Sequence, residues 1–441
     1  MTVRFRALMG ACAVGMFATG AATGAMAETT ITVATVNNGD MIRMQGLTSE
    51  FEKAHPDIKV KWVTMEENVL RQKVTTDVAT HAGNYDVMTI GNYEVPIWAK
   101  QGWLLPLNFP DSYDTKDILP AIRGALTLKD KLYAAPFYGE SSMTMYRTDL
   151  MKKAGLEMPE KPTWAFIAKA AKAMTDKSAG VYGICLRGKA GWGENMAILT
   201  AMSNSFGARW FNEKWQPQFD SAAWKDTMSS YLDLMKNYGP PGASSNGFNE
   251  NLALFQQGKC GIWIDATVAA SFVTDPKNSK VAKDVGFAMA PHKDGVSKDA
   301  NWLWSWNLAI PAGTKKEKAA ETFIEWATSK KYTELVASKD GWANVPPGTR
   351  TSLYKNPEYA KIPFAKMTLK SIDAADATHP TVDPVPYTGV QFVAIPEFQG
   401  IGTAVGQQFS AALAGSETGE QALQNAQSLT TREMTKAGYI K

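Results

Sequence analysis

From Thr29 to Ile90 the apolar residues switch repeatedly between a spacing of two and a spacing of three to four. Ile31, Val33 and Thr35 alternate with small or polar neighbours, as in a strand, and Met41, Met44, Leu47 and Phe51 then recur at helical spacing. The helix has to stop before His55-Pro56-Asp57, and Ile58-Lys-Val-Lys-Trp-Val63 alternates again. A second helix through Leu70, Val74 and Val78 closes near Ala82-Gly83, and Tyr85 to Ile90 reads as the next strand. Successive strands joined by helices run parallel, because the crossover returns each strand to the same end of the sheet. The chain is therefore expected to begin with an α/β lobe.

The same alternation returns later. Ile167, Ala170, Ala171 and Met174 mark one helix face, and Trp224, Met228, Tyr231, Leu232 and Met235 mark another. Leu252 to Gln257 reads as a short helix closed by Gly258, Cys260-Gly-Ile-Trp-Ile264 as a strand ending at Asp265, and Ala320, Phe323, Ile324 and Ala327 as a helix. Trp302, Trp304 and Trp306 stand at the strand period, so an extended backbone would aim all three indoles one way. Such a row either fills a core or offers flat apolar faces and N–H donors to a polyol or carbohydrate.

Met1-Thr-Val-Arg-Phe-Arg6, an apolar run from Ala7 to about Gly20 and Ala25-Met-Ala27 have the form of a secretory signal peptide. Cleavage after Ala27 is expected, with Cys12 an ordinary signal residue and Glu28 the new N-terminus. Losing Arg4 and Arg6 turns 46 basic and 43 acidic side chains into 44 and 43. This balance argues against nucleic acid or an anionic membrane as partner, and no later run reaches the ~18 apolar residues of a membrane span. An exported, soluble, monomeric protein of the periplasm is expected. About 414 mature residues exceed one core and suggest two large lobes. Cys185 and Cys260 either pair or remain free buried thiols.

Little in the chain suggests catalysis. His55, His81, His292 and His379 are the only histidines, and none has zinc-site spacing. There is no Gly-x-Ser-x-Gly and no phosphate loop. No metal and no cofactor is expected; a glycosidase stays open only because two acids can converge from anywhere in a chain. Polar residues instead gather after the strands: Asn37-Asn38-Gly39-Asp40, Glu66-Glu67-Asn68, Asn92-Tyr93-Glu94 and Asp265. Ligands of open α/β sheets sit at the carboxyl ends of strands, and amides with carboxylates suit a ligand rich in hydroxyls.

Phe51-Glu-Lys-Ala-His-Pro-Asp-Ile-Lys-Val60, Tyr85-Asp-Val-Met with Gly102-Trp-Leu-Leu-Pro-Leu107, Tyr133-Ala-Ala-Pro-Phe-Tyr138 with Met145-Tyr-Arg-Thr-Asp-Leu150, Phe255-Gln-Gln-Gly-Lys259 and Trp306-Asn-Leu-Ala-Ile-Pro311 occur in that order. Together they resemble the periplasmic solute-binding proteins of ATP-driven sugar importers over essentially the whole chain. Glu66-Glu-Asn-Val-Leu-Arg-Gln72, Gly139-Glu-Ser-Ser142 and Gly193-Glu-Asn195 are similar to the branch that binds linear polyols such as mannitol and sorbitol. The resemblance implies a two-lobe, maltose-binding-protein-like fold of type II that closes on its ligand by a hinge. It implies lobes of 28–141 plus 305–335 and 142–304 plus 336–441, with crossings near 139–143, 303–307 and 333–344. A membrane permease is the implied partner, a linear polyol or small neutral sugar the implied ligand, and binding without turnover the implied activity; an oligosaccharide, metal or peptide receptor is the alternative.

By the same resemblance Tyr138, Glu140, Asn92 and Asp265 face the ligand and Trp306 stacks on it. Asn38, Glu66 and Glu67 join them from the strand ends, Arg187 and Trp192 from the loop Arg187-Gly-Lys-Ala-Gly-Trp192, and Trp304 from the tryptophan row. Trp302 is expected to pack only. Where the family often carries Arg before Pro, this chain has His379-Pro380, and His379 is a further candidate contact.

Overall fold

The protein is described by a computed structural model covering residues 28–441, so the expected signal peptide, residues 1–27, lies outside the described residues. In chain order the strands are β1 (Thr29–Val36), β2 (Ile58–Met65), β3 (Val87–Gly91), β4 (Thr127–Leu128), β5 (Lys131–Leu132), β6 (Ala135–Glu140), β7 (Ser142–Arg147), β8 (Tyr182–Cys185), β9 (Cys260–Ala266), β10 (Val285–Met289) and β11 (Trp304–Ala309). They form one sheet ordered β2-β1-β3-β11-β6, a second ordered β10-β7-β9-β8, and a small β4-β5 ribbon. Each main sheet is the centre of one lobe.

The first lobe follows the period-switching of its sequence. β1 pairs with β2 in parallel from Thr29 opposite Ile58 to Val36 opposite Met65, and with β3 on its other edge. Ile31, Val33 and Val36 are buried, as are Leu70, Val74 and Val78 on the inner stripe of the helix Glu67–Thr80. Glu66 caps that helix by accepting from the N–H groups of Asn68 and Val69, and His81 ends it in the left-handed conformation, φ 51°. The expected helices also form at Trp164–Met174, Ala222–Tyr238, Phe248–Gln256 and Glu317–Ala327. On Ala222–Tyr238 the buried stripe passes through Leu234, and Leu232 is only half-buried.

The chain moves between lobes at Ser141, the single residue between β6 and β7, and returns just before β11. β11 then slots antiparallel between β3 and β6, completing the first sheet with residues from far later in the chain. Around and beyond the third passage expected at 333–344, the chain stays close to first-lobe groups. Asn344, Pro347, Arg350 and Ser352 still bond first-lobe groups: Arg43 Nη1 donates to the Asn344 carbonyl at 2.8 Å, Gly139 N–H to Pro347 at 2.9 Å, Arg350 Nη1 to the Asp114 carbonyl at 3.0 Å, and Ser352 N–H to Asp117 at 2.9 Å. The helix Ala365–Asp373 packs on β7 and β10 of the second lobe. The segment through Ser352 is thus bonded to first-lobe groups, and it contains no strand, so no change of period marks it.

Cys185, ending β8, and Cys260, beginning β9, are joined by a disulfide, which settles the pairing that sequence left open. Among the described residues no helix is long and apolar enough to cross a membrane.

Candidate functional site

The antiparallel register sets Tyr138 opposite Trp306 and Glu140 opposite Trp304. Directly opposed residues share a face, so β6 and β11 present two carboxyl- or hydroxyl-bearing chains and two indoles on the same side of the sheet. Gly91 on β3 makes room for them. A Cβ there would lie 1.9 Å from Cη2 of Trp304 and 2.8 Å from Glu94 Oε2, so only glycine lets the indole lie across the strand.

Above this face the lobes meet over a small cavity. Asn38, Glu67, Arg71, Tyr138, Glu140, Trp304 and Trp306 line it from the first lobe, and Arg187, Trp192, Gly193, Ala197, Phe248 and Val268 from the second, with Trp302 just before β11 and Gln391 bonded to Leu303 beside it. Contacts across the cleft hold the lobes together: Lys189 Nζ to Glu66 at 2.5 Å, Asn68 Nδ2 to the Ala190 carbonyl at 3.2 Å, and Asn249 Nδ2 to Asn37 Oδ1 at 3.2 Å.

Arg71 sits at the middle of the indoles. Its guanidinium carbon lies 4.0 Å from the ring centre of Trp192, 4.8 Å from Trp304 and 4.7 Å from Trp306, within cation–π range. Its Nη2 donates to Glu67 at 2.8 Å and its Nη1 to Glu94 at 3.3 Å. The indole faces are therefore engaged by the protein's own cation, and what reaches the ligand space is a guanidinium held rigid by aromatic walls. Trp192 comes from the opposite lobe, so this cluster forms only when the lobes meet.

Arg187 is held in the same fashion from the other side. Asp265 accepts from its Nε at 2.9 Å and its Nη2 at 2.7 Å, and Nη1 donates to the Gly193 carbonyl at 3.0 Å. Burial opposes its charge most strongly, but Asp265 together with Glu194 and Glu67 outweighs it and keeps the guanidinium well above its ordinary range. Burial pushes the Glu140 carboxyl up to about 8, against the pull of Arg187 and with help from Asp265 and Glu67. Glu194 is likewise pushed to about 8 by burial and by Glu67. Asn38 Nδ2 donates to the Tyr138 hydroxyl at 3.0 Å. The cavity thus offers two fixed cationic donors, the carboxyls of Glu67 and Glu140, two amides and a phenol.

Of the expected contacts, Asn38, Glu67, Tyr138, Glu140, Arg187, Trp192, Trp304 and Trp306 line the cavity and four do not. Glu66 is consumed as a helix cap and as the partner of Lys189. Asn92 is buried against the returning chain, donating to the Leu303 carbonyl at 3.3 Å and accepting from the Ser305 N–H at 3.4 Å. Asp265 stands behind Arg187 and acts through it. His379 is corrected outright: its side chain is 79% exposed and bonds Asp376 and Thr378 in a surface turn. Trp302 is corrected the other way, because it lines the cavity with its indole N–H unpartnered. Arg71, Phe248, Val268 and Gln391 were not foreseen. Only Arg71 had a signal, one helical turn beyond Glu67.

The model of bacterial extracellular solute-binding proteins matches residues 38–334. A mannitol-binding protein of Pseudomonas aeruginosa is 56% identical over 93% of this chain and 94% of its own length. The crystal structure of an ABC transporter solute-binding protein from Agrobacterium vitis S4 with bound D-mannitol is 72% identical, with a TM-score of 0.93 over 94% of this chain and 100% of that one. A solute-binding protein from Agrobacterium radiobacter K84 in complex with ribitol is 25% identical, with a TM-score of 0.81 over 92% and 99% of the two chains. The two-lobe architecture expected from sequence is the one these proteins share, and their role is solute capture, not catalysis. This chain belongs to the bacterial extracellular solute-binding protein family.

Proposed function

We propose that the protein binds D-mannitol and related linear alditols in the inter-lobe cavity and presents them to the permease of an ATP-driven importer. The observation that carries this reading is the 72% identity, over the full length of that chain, to a protein whose crystal structure contains D-mannitol. The lining supports it chemically. Arg71 and Arg187 donate to hydroxyl oxygens, Glu67 accepts from hydroxyl hydrogens, and Asn38, Tyr138, Glu140 and the Trp302 indole N–H complete the set. A ligand lacking one hydroxyl leaves a buried group unpaired at ~1–3 kcal/mol, so selectivity follows the number and stereochemistry of the hydroxyls. Ligand contacts from both lobes favour the closed form, which is the form a permease recognises. In this reading the chain loses residues 1–27 on export and works as a monomer in the periplasm.

Isothermal titration of residues 28–441 with D-mannitol, D-sorbitol, ribitol, glucose and maltose tests the reading. Heat with the alditols and little with maltose is expected. A folded protein that gives no heat with any alditol overturns it.

A further inference from the structure

The carboxyl groups around the cavity outnumber the cations, and the pairing leaves one of them over. Arg71 is taken by Glu67 and Glu94, Arg187 by Asp265 with Glu194 Oε2 at 3.5 Å, and Lys189 by Glu66. Glu140 has no such partner. It is 5% exposed and lines the cavity, and among the described residues no donor bonds its carboxyl. The charged groups facing it are Glu67 and Arg71 from the helix Glu67–Thr80, and Arg187 and Asp265 from the second lobe. A buried carboxyl aimed into the cavity, with Arg187 and Arg71 facing it but neither within salt-bridge distance, is a site that a ligand's own positive charge can complete.

We propose that the cavity also accepts amino-alditols, linear polyols carrying an ammonium in place of one terminal hydroxyl, with Glu140 as the counter-ion. This rests on the alditol-binding reading for the placement of the carbon chain. An ammonium is close in size to a hydroxyl and donates up to three hydrogen bonds, so the remaining hydroxyls keep the partners they have in an unmodified alditol. Burial holds the empty site's Glu140 carboxyl near 8, which is the neutral form at pH 7. Pairing with the ammonium ionises it, and the displaced proton passes to solvent as the carboxylate–ammonium pair forms.

Titration calorimetry of residues 28–441 at pH 7 with D-mannitol and with 1-amino-1-deoxy-D-mannitol, each in phosphate and in Tris, tests this. The amino compound is expected to bind within about tenfold of D-mannitol and to release close to one proton, seen as a buffer-dependent heat absent with D-mannitol. Glu140→Gln should weaken the amino compound about thirtyfold more than it weakens D-mannitol, while Glu140→Asp, which keeps the charge, should lose less of that difference. A wild-type protein that binds D-mannitol and ignores the amino compound overturns the proposal without touching the alditol reading. Binding of the amino compound without D-mannitol sinks the alditol reading and, with it, the proposal that rests on it; binding of neither likewise sinks both. Equal weakening of the two ligands by Glu140→Gln also overturns the proposal, and if that variant fails to fold, the wild-type affinities and proton release decide.

Discussion

Replacing Arg71 by Met keeps the apolar stem and deletes the guanidinium from among three indoles and two carboxylates. The side chains of Glu67 and Glu94 are 9% and 2% exposed, so both would be left in a dry site without their cation. Breaking a buried pair by removing one partner costs ~3–5 kcal/mol, and uptake of protons by the freed carboxyls limits the loss to the lower end. In a lobe of about 200 residues each kcal/mol moves Tm by ~2–4 °C, so a drop of ~6–12 °C is expected at pH 8. Without Arg71 the freed carboxyls have folded pKa values above their unfolded ~4.3. Such a penalty is present at high pH and disappears as pH falls through the folded pKa, so the gap to wild type should narrow toward pH 5. Losing a charged donor to ligand hydroxyls adds ~1.5–3 kcal/mol, a ten- to hundredfold weaker D-mannitol affinity. Scanning calorimetry at pH 8 and 5.5 with titration of D-mannitol measures both effects. A variant melting within about 2 °C of wild type at pH 8 and binding D-mannitol within threefold would refute the assigned role of Arg71.

The ligand-free protein should lose stability as pH rises from 5 to 8. Glu140 and Glu194, held near 8 when folded, keep protons there that the unfolded chain has released; a Tm that climbs over that interval contradicts it. Trp306→Ala removes one wall around Arg71 and should weaken D-mannitol binding about tenfold, ~1.4 kcal/mol, measured by titration; a change below threefold returns Trp306 to a packing role. Lys189→Ala removes a half-exposed pair across the cleft, worth ~0.5 kcal/mol, so stopped-flow should find D-mannitol leaving about twice as fast, with less dependence on salt than in wild type. His379→Ala should leave affinity unaltered in the same titrations, since its side chain bonds only its own turn.

Strands and helices with one repeating face were legible in the sequence, because burial on one side imposes a period. The β1 to β3 segment reads directly for this reason, as do the helices carrying Ile167 and Trp224. The stretch from 333 to Ser352 has no strand and no change of period to mark a passage between lobes. Within the site, Tyr138, Glu140, Trp304 and Trp306 were accessible because strand alternation and the family resemblance pointed to the same face. Asn92, Glu66 and Asp265 belong to the same residue classes and stand near the site, yet their polar atoms are spent on the chain itself: on Leu303 and Ser305, on a helix N-terminus, and on Arg187. Local sequence cannot separate an amide that meets a ligand from one that pins a returning strand. Arg71 was missed for a related reason. Its three aromatic neighbours come from two lobes and positions more than a hundred residues away, and no spacing within the helix Glu67–Thr80 announces them.

Trp192 reaches Arg71 from across the cleft, whereas Trp304 and Trp306 stand in the same sheet's lobe as Arg71. Opening the lobes would carry a single indole out of a buried cage and into water, leaving the other two in place. Trp210, Trp224 and Trp263 are fully buried and would contribute a constant background. The chain therefore contains an unlabelled optical reporter of its own occupancy, with a fluorophore on the moving side and a charged neighbour on the fixed side. Replacing Trp210 or Trp224, which do not line the cavity, by Phe would raise its contrast.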